Sequence, residues 1–291
     1  MVEFTVPEVD YTRYSNRQLA GVPLGVLAVA VLILAGWYAT TGAPVAMGID
    51  FTGGTQLRVA VDAPSGQADA LIRNTFDERI ESIQFVPASG EYIVTFGPNV
   101  DADAIQSQTR SAEQLDYRGL SEVAPGFGAD VQRTALIGVV IAFLGMSLLV
   151  FALFRTFVPS IAVVASAFSD LIIPLALMDL LGIQLSIGTV AALLMLIGYS
   201  VDSDILLNTH VLRRPGDFYE STDRAMKTGV TMTVTSLAAM AAMALTATLF
   251  GVELLASIGT ILVFGLVTDL MNTYMLNVSL LRWYKYEGVA R

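Results

Sequence analysis

The chain has 291 residues, 54% of them hydrophobic and 14% charged, and with a mean hydropathy of +0.64 it carries more apolar surface than one soluble core could bury. Its net charge of −10, with the acids concentrated between Asp62 and Asp130, excludes a nucleic-acid-binding surface. With no cysteine and a single histidine, His210, the composition excludes disulfides, thiolate chemistry, a cysteine zinc site and a histidine-cluster metal site, so neither metal nor cofactor is expected.

Residues 1–18 form a polar leader whose acids Glu3, Glu8 and Asp10 argue against a cleavable signal peptide. The apolar run 19–40 is the first membrane span, loosened at its entry by Gly21, Pro23 and Gly25 and anchored by Trp37 and Tyr38. Residues 41–133 are polar and make one inserted domain. There the alternation Gln56-Leu57-Arg58-Val59-Ala60-Val61 predicts a strand, and Leu71, Ile72, Phe76 and Ile80 give residues 68–80 a helical face. Strands follow at 82–86 and 92–96 around a turn at Ser89 and Gly90, then a helix capped by Asp101 and reaching about 115, then a strand at 117–123. The order βαββαβ is a ferredoxin-like α+β pattern, expected to bind and not to catalyse.

Five more apolar runs fill residues 134–283: 134–154, a third ending near 178 after the turn at Arg155 and Pro159, 186–208, 228–249 and 254–281. Each is near the ~20 residues that cross about 30 Å of hydrocarbon. Trp283 and Tyr284 form a second interfacial belt, and 284–291 is a tail. Lysines and arginines mark the retained side: Arg13, Arg17, Arg155, Arg213, Arg214, Arg224, Lys227, Arg282, Lys285 and Arg291 all fall at one set of span ends. Both termini are therefore expected in the cytoplasm and the inserted domain outside the cell membrane.

The most informative residues are carboxylates inside the apolar runs: Asp170 in span three, Asp202 and Asp204 in span four, Asp269 in span six. An Asp near a span centre costs roughly 2.5 to 3.5 kcal/mol against about 0.3 to 0.6 gained per large aliphatic residue, so these side chains should face protein or water. They are candidates for a proton relay or a polar packing cluster. Asp202 and Asp204 lie about 200° apart around a helix and cannot share a face. With Leu206 one turn beyond it, Asp202 is the one expected in the interior, and Asp204, nearer Asn208 and Thr209, belongs to the helix end. Asp170 continues a small-residue row of Ala162 and Ser166, with Pro174 one turn later, so a packing role stands beside a functional one. Thr228, Thr231, Thr235, Ala238 and Ala242 make a second stripe suited to helix contact. Lys227, at the entrance to span five, either snorkels to headgroups or pairs with carboxylates. His210 is expected to be an ordinary interfacial residue.

The string Gly48-Ile49-Asp50-Phe51-Thr52-Gly53-Gly54-Thr55 is a glycine-rich turn launching the first strand. It resembles the signature that follows the first span in the SecD and SecF family, membrane subunits that assist the Sec protein-export channel. The six-span layout, the run Gly198-Tyr199-Ser200-Val201-Asp202 and the entry Lys227-Thr228-Gly229 extend the likeness, and the short insert favours the SecF branch. The resemblance implies half of a resistance-nodulation-division-type bundle, with SecD as the other half, the Sec channel and exported polypeptides as partners, and lipid around the spans. It also implies that acids of the fourth helix, with a basic residue opening the fifth, couple proton movement to export. Asp202 matches the SecD-type acid; at the SecF-type position stands Ser203, the downstream basic residue falls at His210, and Lys227 replaces a common Arg, departures that resemble an archaeal variant. A non-energised scaffold and a small-molecule exporter are the competing readings.

Overall fold

The computed structural model describes residues 6, 9–86, 89–213 and 216–288. Arg214 and Arg291, used above for orientation, and the leader acids Glu3 and Glu8 lie outside these. Among the described residues six helices are long and apolar enough to span a membrane: α1 (Asn16–Thr41), α5 (Pro125–Phe154), α6 (Phe157–Leu181), α7 (Ile187–Arg213), α8 (Phe218–Leu249), and a last one that starts as α9 (Glu253–Met271), passes through a π-helical turn (Asn272–Asn277), continues as α10 (Val278–Trp283) and ends in a second π-helical turn, Tyr284–Gly288. Between α1 and α5 lie the short helix α2 (Ile49–Thr52) and the inserted domain, β1 (Gly54–Val61), α3 (Ser65–Thr75), β2 (Ile80–Val86), β3 (Glu91–Phe96), α4 (Ala102–Ser111) and β4 (Leu115–Val123).

Several helices outrun the apolar stretches that announce them. The helix of span two starts at Pro125, nine residues before the expected 134, because proline at the first helical position costs no hydrogen bond. The helix of span five starts at Phe218, ten before 228, where Asp217 accepts from the Tyr219 amide as its cap. Hydropathy reads hydrocarbon, whereas caps decide where a helix begins.

In the inserted domain all four strands are antiparallel, in the order β2-β3-β1-β4, with Leu57 opposite Val94 on one side and Leu120 on the other. That is the ferredoxin-like arrangement. Helix α3 is shorter than the expected 68–80: Phe76 is already extended and Ile80 opens β2. Its inner face is Ala68 and Ile72, at four-residue spacing, packed with Phe76 just past its end and with Leu57, Val59, Val94, Phe96 and Ile105 in the domain core. Helix α4 likewise ends at Ser111, short of 115.

Within the bundle, α6, α7 and the α9 helix form the buried centre, while α1, α5 and α8 stay largely exposed along their apolar lengths. The apolar packing is layered. On the domain side Leu185, Val190, Leu193, Leu196, Ile261 and Leu262 cluster with Phe51. On the far side Leu207, Val211, Phe218, Met226, Val278 and Leu281 cluster around Tyr11 and Tyr274.

The leader is strapped to that far side. The Tyr11 hydroxyl donates to the Tyr274 carbonyl at 3.0 Å. Arg282, buried, donates to the carbonyls of Tyr11 at 2.9 Å and Tyr14 at 2.8 Å and to the side chain of Asn16. Burial, with Asp223 nearby, pushes the Tyr11 phenol up to about 12, so it is a neutral donor at physiological pH. Arg282→Ala leaves two carbonyls without their donor. Trypsin cleavage after Arg13 and Arg17 in detergent-solubilised protein should then rise roughly ten-fold, the yield expected from losing about 1.4 kcal/mol of docking.

Candidate functional site

Two constructions meet on α7. The first is the signature turn, which clasps the root of the inserted domain to the start of this helix. The Gly48 amide donates to the Leu185 carbonyl at 2.8 Å, the Leu185 amide to the Ala46 carbonyl at 2.7 Å, and the Ala46 amide to Asp179 Oδ1 at 2.9 Å. Asp50 Oδ2 accepts from the Ile187 amide at 3.0 Å, placing a carboxylate on the positive end of α7. Ser186 and Thr189 complete that end by bonding each other's amide through their hydroxyls. Phe51 is buried in the domain-side apolar cluster, and Thr55, buried, is the second residue of β1 and lies opposite Phe96.

The paired glycines are needed because the chain turns through conformations that side chains resist: φ is +75° at Gly53 and +146° at Gly54. A Cβ on Gly54 would lie 2.7 Å from the Phe96 carbonyl oxygen, and one on Gly128 of α5 would lie 2.8 Å from that of Phe51. A Cβ on Gly126, two residues away, meets nothing within 4 Å. Gly128→Ala should therefore cost about 1–3 kcal/mol and lower the melting midpoint in detergent by several degrees, and Gly126→Ala should leave it unchanged.

The second construction is a polar network in the bundle centre. Asp170 on α6 accepts from Ser200 at 2.6 Å and from the Asn272 amide at 2.6 Å. Asp204 on α7 accepts from Thr273 at 2.9 Å and from the Asn277 amide at 2.7 Å. Asp269 on α9 accepts from Ser203 at 2.8 Å and faces the same Thr273 hydroxyl at 3.2 Å. All three carboxyls are buried to 1% exposure or less, and these partners are hydroxyls and amides. Asn272, Thr273 and Asn277 all come from the π-helical turn, whose wider backbone carries three polar side chains to two neighbouring helices. Asp204 Oδ2, the Asn208 amide group and Asn277 Oδ1 make no hydrogen bond among the described residues, a concentration of unsatisfied polar atoms that ordinary cores avoid.

Thr273 determines what this network can do. A hydroxyl has one hydrogen, so it can donate to Asp204 or to Asp269 but not to both. Both contacts are favourable together only when one carboxyl carries a proton and donates it to the Thr273 oxygen, while the hydroxyl donates to the other. The geometry thus suits one proton shared by two acids through a hydroxyl relay.

The structure brings Asp170, Asp204 and Asp269 together and leaves out Asp202, reversing the expectation for α7. Asp202 is exposed on the bundle surface, in a stripe with Met195 and Tyr199, and Asp204 is fully buried. The polar neighbour Asn208, read as a sign of the helix end, is itself buried one turn beyond Asp204. Lys227 pairs with Asp223 on its own helix at 2.7 Å. His210 is buried, its Nδ1 against the Leu206 carbonyl at 2.9 Å. The threonines at 228, 231 and 235 are exposed and bond back to their own helix. Sequence reasoning missed Asn272, Thr273 and Asn277, and named Ser200 and Ser203 without giving them a part in the network. The signal was present as four-residue polar rows: Ser166 and Asp170; Ser200, Asp204 and Asn208; Asp269, Thr273 and Asn277.

Thr273→Val keeps the shape and removes the shared donor. It should cost about 1–3 kcal/mol of stability in detergent, whereas Thr231→Val on the exposed face should cost under about 0.5 kcal/mol, both read from thermal or denaturant unfolding.

Residues 104–287 match the family model described as protein export membrane protein SecD/SecF, C-terminal, and residues 38–65 match the SecD/SecF GG motif. A protein-export membrane protein SecF from Haloferax volcanii is 65% identical over 292 aligned residues, covering 100% of both chains. Another from Pyrococcus furiosus is 39% identical, covering 97% of this chain and 99% of its own. Among solved structures, SecDF from Thermus thermophilus, described as a translocon-associated membrane protein, superposes with a TM-score of 0.72 at 21% identity, over 98% of this chain and 40% of that one.

Proposed function

The chain belongs to the SecD/SecF family of protein-export membrane proteins, and on that premise we propose that its buried acids couple proton movement to export in a SecF-type accessory subunit of the Sec translocase. The protein is a multi-pass membrane protein that acts with SecD in protein export. In the proposed arrangement both termini are cytoplasmic, the inserted domain lies outside and meets the emerging polypeptide, and the Sec channel is the shared partner. The chain works by binding and movement, without covalent catalysis.

One observation carries the reading: Thr273 bridges Asp204 and Asp269 inside a bundle whose α7 is clasped to the inserted domain. Moving a proton along this relay changes which contacts hold α7 against α9, and so biases two arrangements of the bundle. Because Asp50 caps α7 and β1 follows two residues after α2, a shift of α7 is delivered to the root of the inserted domain. Asp202 serves differently. A carboxylate exposed on a membrane helix is costly unless another protein covers it, and the stripe of Met195, Tyr199 and Asp202 is the surface on which the SecD half would seat.

A scaffold reading uses the same buried network as glue alone. Vesicles containing this chain, SecD and the channel separate the two. Asp204→Asn and Asp269→Asn together should reduce proton-motive-force-stimulated export roughly ten-fold or more, about 1.4 kcal/mol of lost coupling, with complex recovery in detergent unchanged. Asp202→Asn should instead change recovery of the complex. Unimpaired export in the double variant would sink the coupling role.

A further inference from the structure

A cleft of about 730 Å³ separates the inserted domain from the bundle, and the network above makes no use of it. Its domain wall carries Gln56, Ser82, Gln84 and Thr95, and its bundle wall carries Ser257 and Thr260 of α9. Three charged residues also line it, and each holds a hydrogen bond to protein. Arg58 donates to the Gly251 carbonyl at 3.2 Å, Glu253 accepts from Gln56 at 3.1 Å, and Asp50 caps α7. Beyond these three, the cleft presents uncharged amides and hydroxyls beside apolar surface from Phe250 and Val252.

Ser82, Ile83 and Gln84 are consecutive in β2, and all three line the cleft. Side chains on a strand alternate between faces, so a cavity touching three in a row is reached along the strand's edge as well as its face. Among the described residues β2 pairs only with β3, which makes it an edge strand whose outer row of amides and carbonyls is open to a further strand.

We propose that this cleft binds one extended segment of the polypeptide being exported, held along the β2 edge through its backbone. The assignment rests on the export reading above and adds a place and a mode of recognition. A site serving many exported sequences must read what they share, the peptide backbone, and strand addition does so with main-chain hydrogen bonds. Neutral amides and hydroxyls on the opposing wall add contacts without selecting for side-chain charge. The cleft also sits beside the clasp, since Gly48, Ile49 and Asp50 line its inner end, so a bound segment would lie against the joint between domain and bundle.

The chain has no cysteine, so single cysteines report contact without background. Full-length Gln84→Cys, Ser257→Cys and, on the opposite helical side of the domain, Asp103→Cys would each be placed in vesicles with SecD and the channel. An export substrate stalled partway and carrying one cysteine would then be added under mild oxidation. Mixed disulfides should form at Gln84→Cys and Ser257→Cys roughly five-fold more than at Asp103→Cys, a difference of about 1 kcal/mol in local occupancy. Ser257→Trp, which fills the cleft, should lower the Gln84→Cys adduct by a similar factor with complex recovery unchanged. Equal adducts at all three positions, or none, would overturn the assignment. Export measured in the same vesicles tells the two failures apart: export that still depends on Asp204 leaves the coupling reading standing and rejects only the cleft, whereas export indifferent to this chain rejects both.

Discussion

A membrane bundle offers little water to a buried carboxyl, so an unmatched polar atom in its centre is costly. In this protein the matching is done by a short supply of hydrogens. Three carboxyls on α6, α7 and α9 draw on two serines, two asparagines and one threonine, and the threonine is asked to serve two acids. The rest of the bundle follows from that shortage. The three helices that carry the acids are its buried centre, and apolar layers close the network above and below. The last span departs from α-helical geometry where Asn272, Thr273 and Asn277 are delivered. The π-helical turn is therefore the means by which one helix reaches both of its neighbours.

The signature turn connects this centre to the inserted domain without entering the membrane core. Its contacts are mostly backbone, and its one charged contribution, Asp50, stabilises the end of α7 as a cap. Close backbone approach explains the glycines: at Gly54 and Gly128 the neighbouring carbonyls come too near for any side chain. A clasp made this way transmits position without depending on the sequence of the domain beyond it.

Much of this was legible in the amino-acid order. Six spans could be read because apolar runs are long, and the βαββαβ order because alternation and helical spacing differ in period. Element ends were less legible, since a cap at Asp217 and a proline at the first helical position, Pro125, let helices start ahead of the apolar runs. The site was half legible. Asp170 and Asp269 were found because acids in apolar runs are conspicuous, but the choice between Asp202 and Asp204 came out reversed. The error lay in treating Asn208 as a mark of exposure, as it would be in a soluble helix. In a bundle surrounded by lipid the polar row faces inward, and Ser200, Asp204 and Asn208 form that row. The π-helical turn has no comparable mark in the order of residues, so its position within the last span was not read from the sequence.

The strap at Arg282 has an architectural consequence. By holding the carbonyls of Tyr11 and Tyr14 against the end of the last span, it brings the entrance and the exit of the six-helix unit to one spot on one face. A unit whose ends adjoin can be joined in tandem to a like unit through either end without disturbing its helices. The Thermus thermophilus chain, of which this fold accounts for 40%, is long enough for such a joined arrangement. Whether such units are one polypeptide or two is then a matter of a peptide link at the surface.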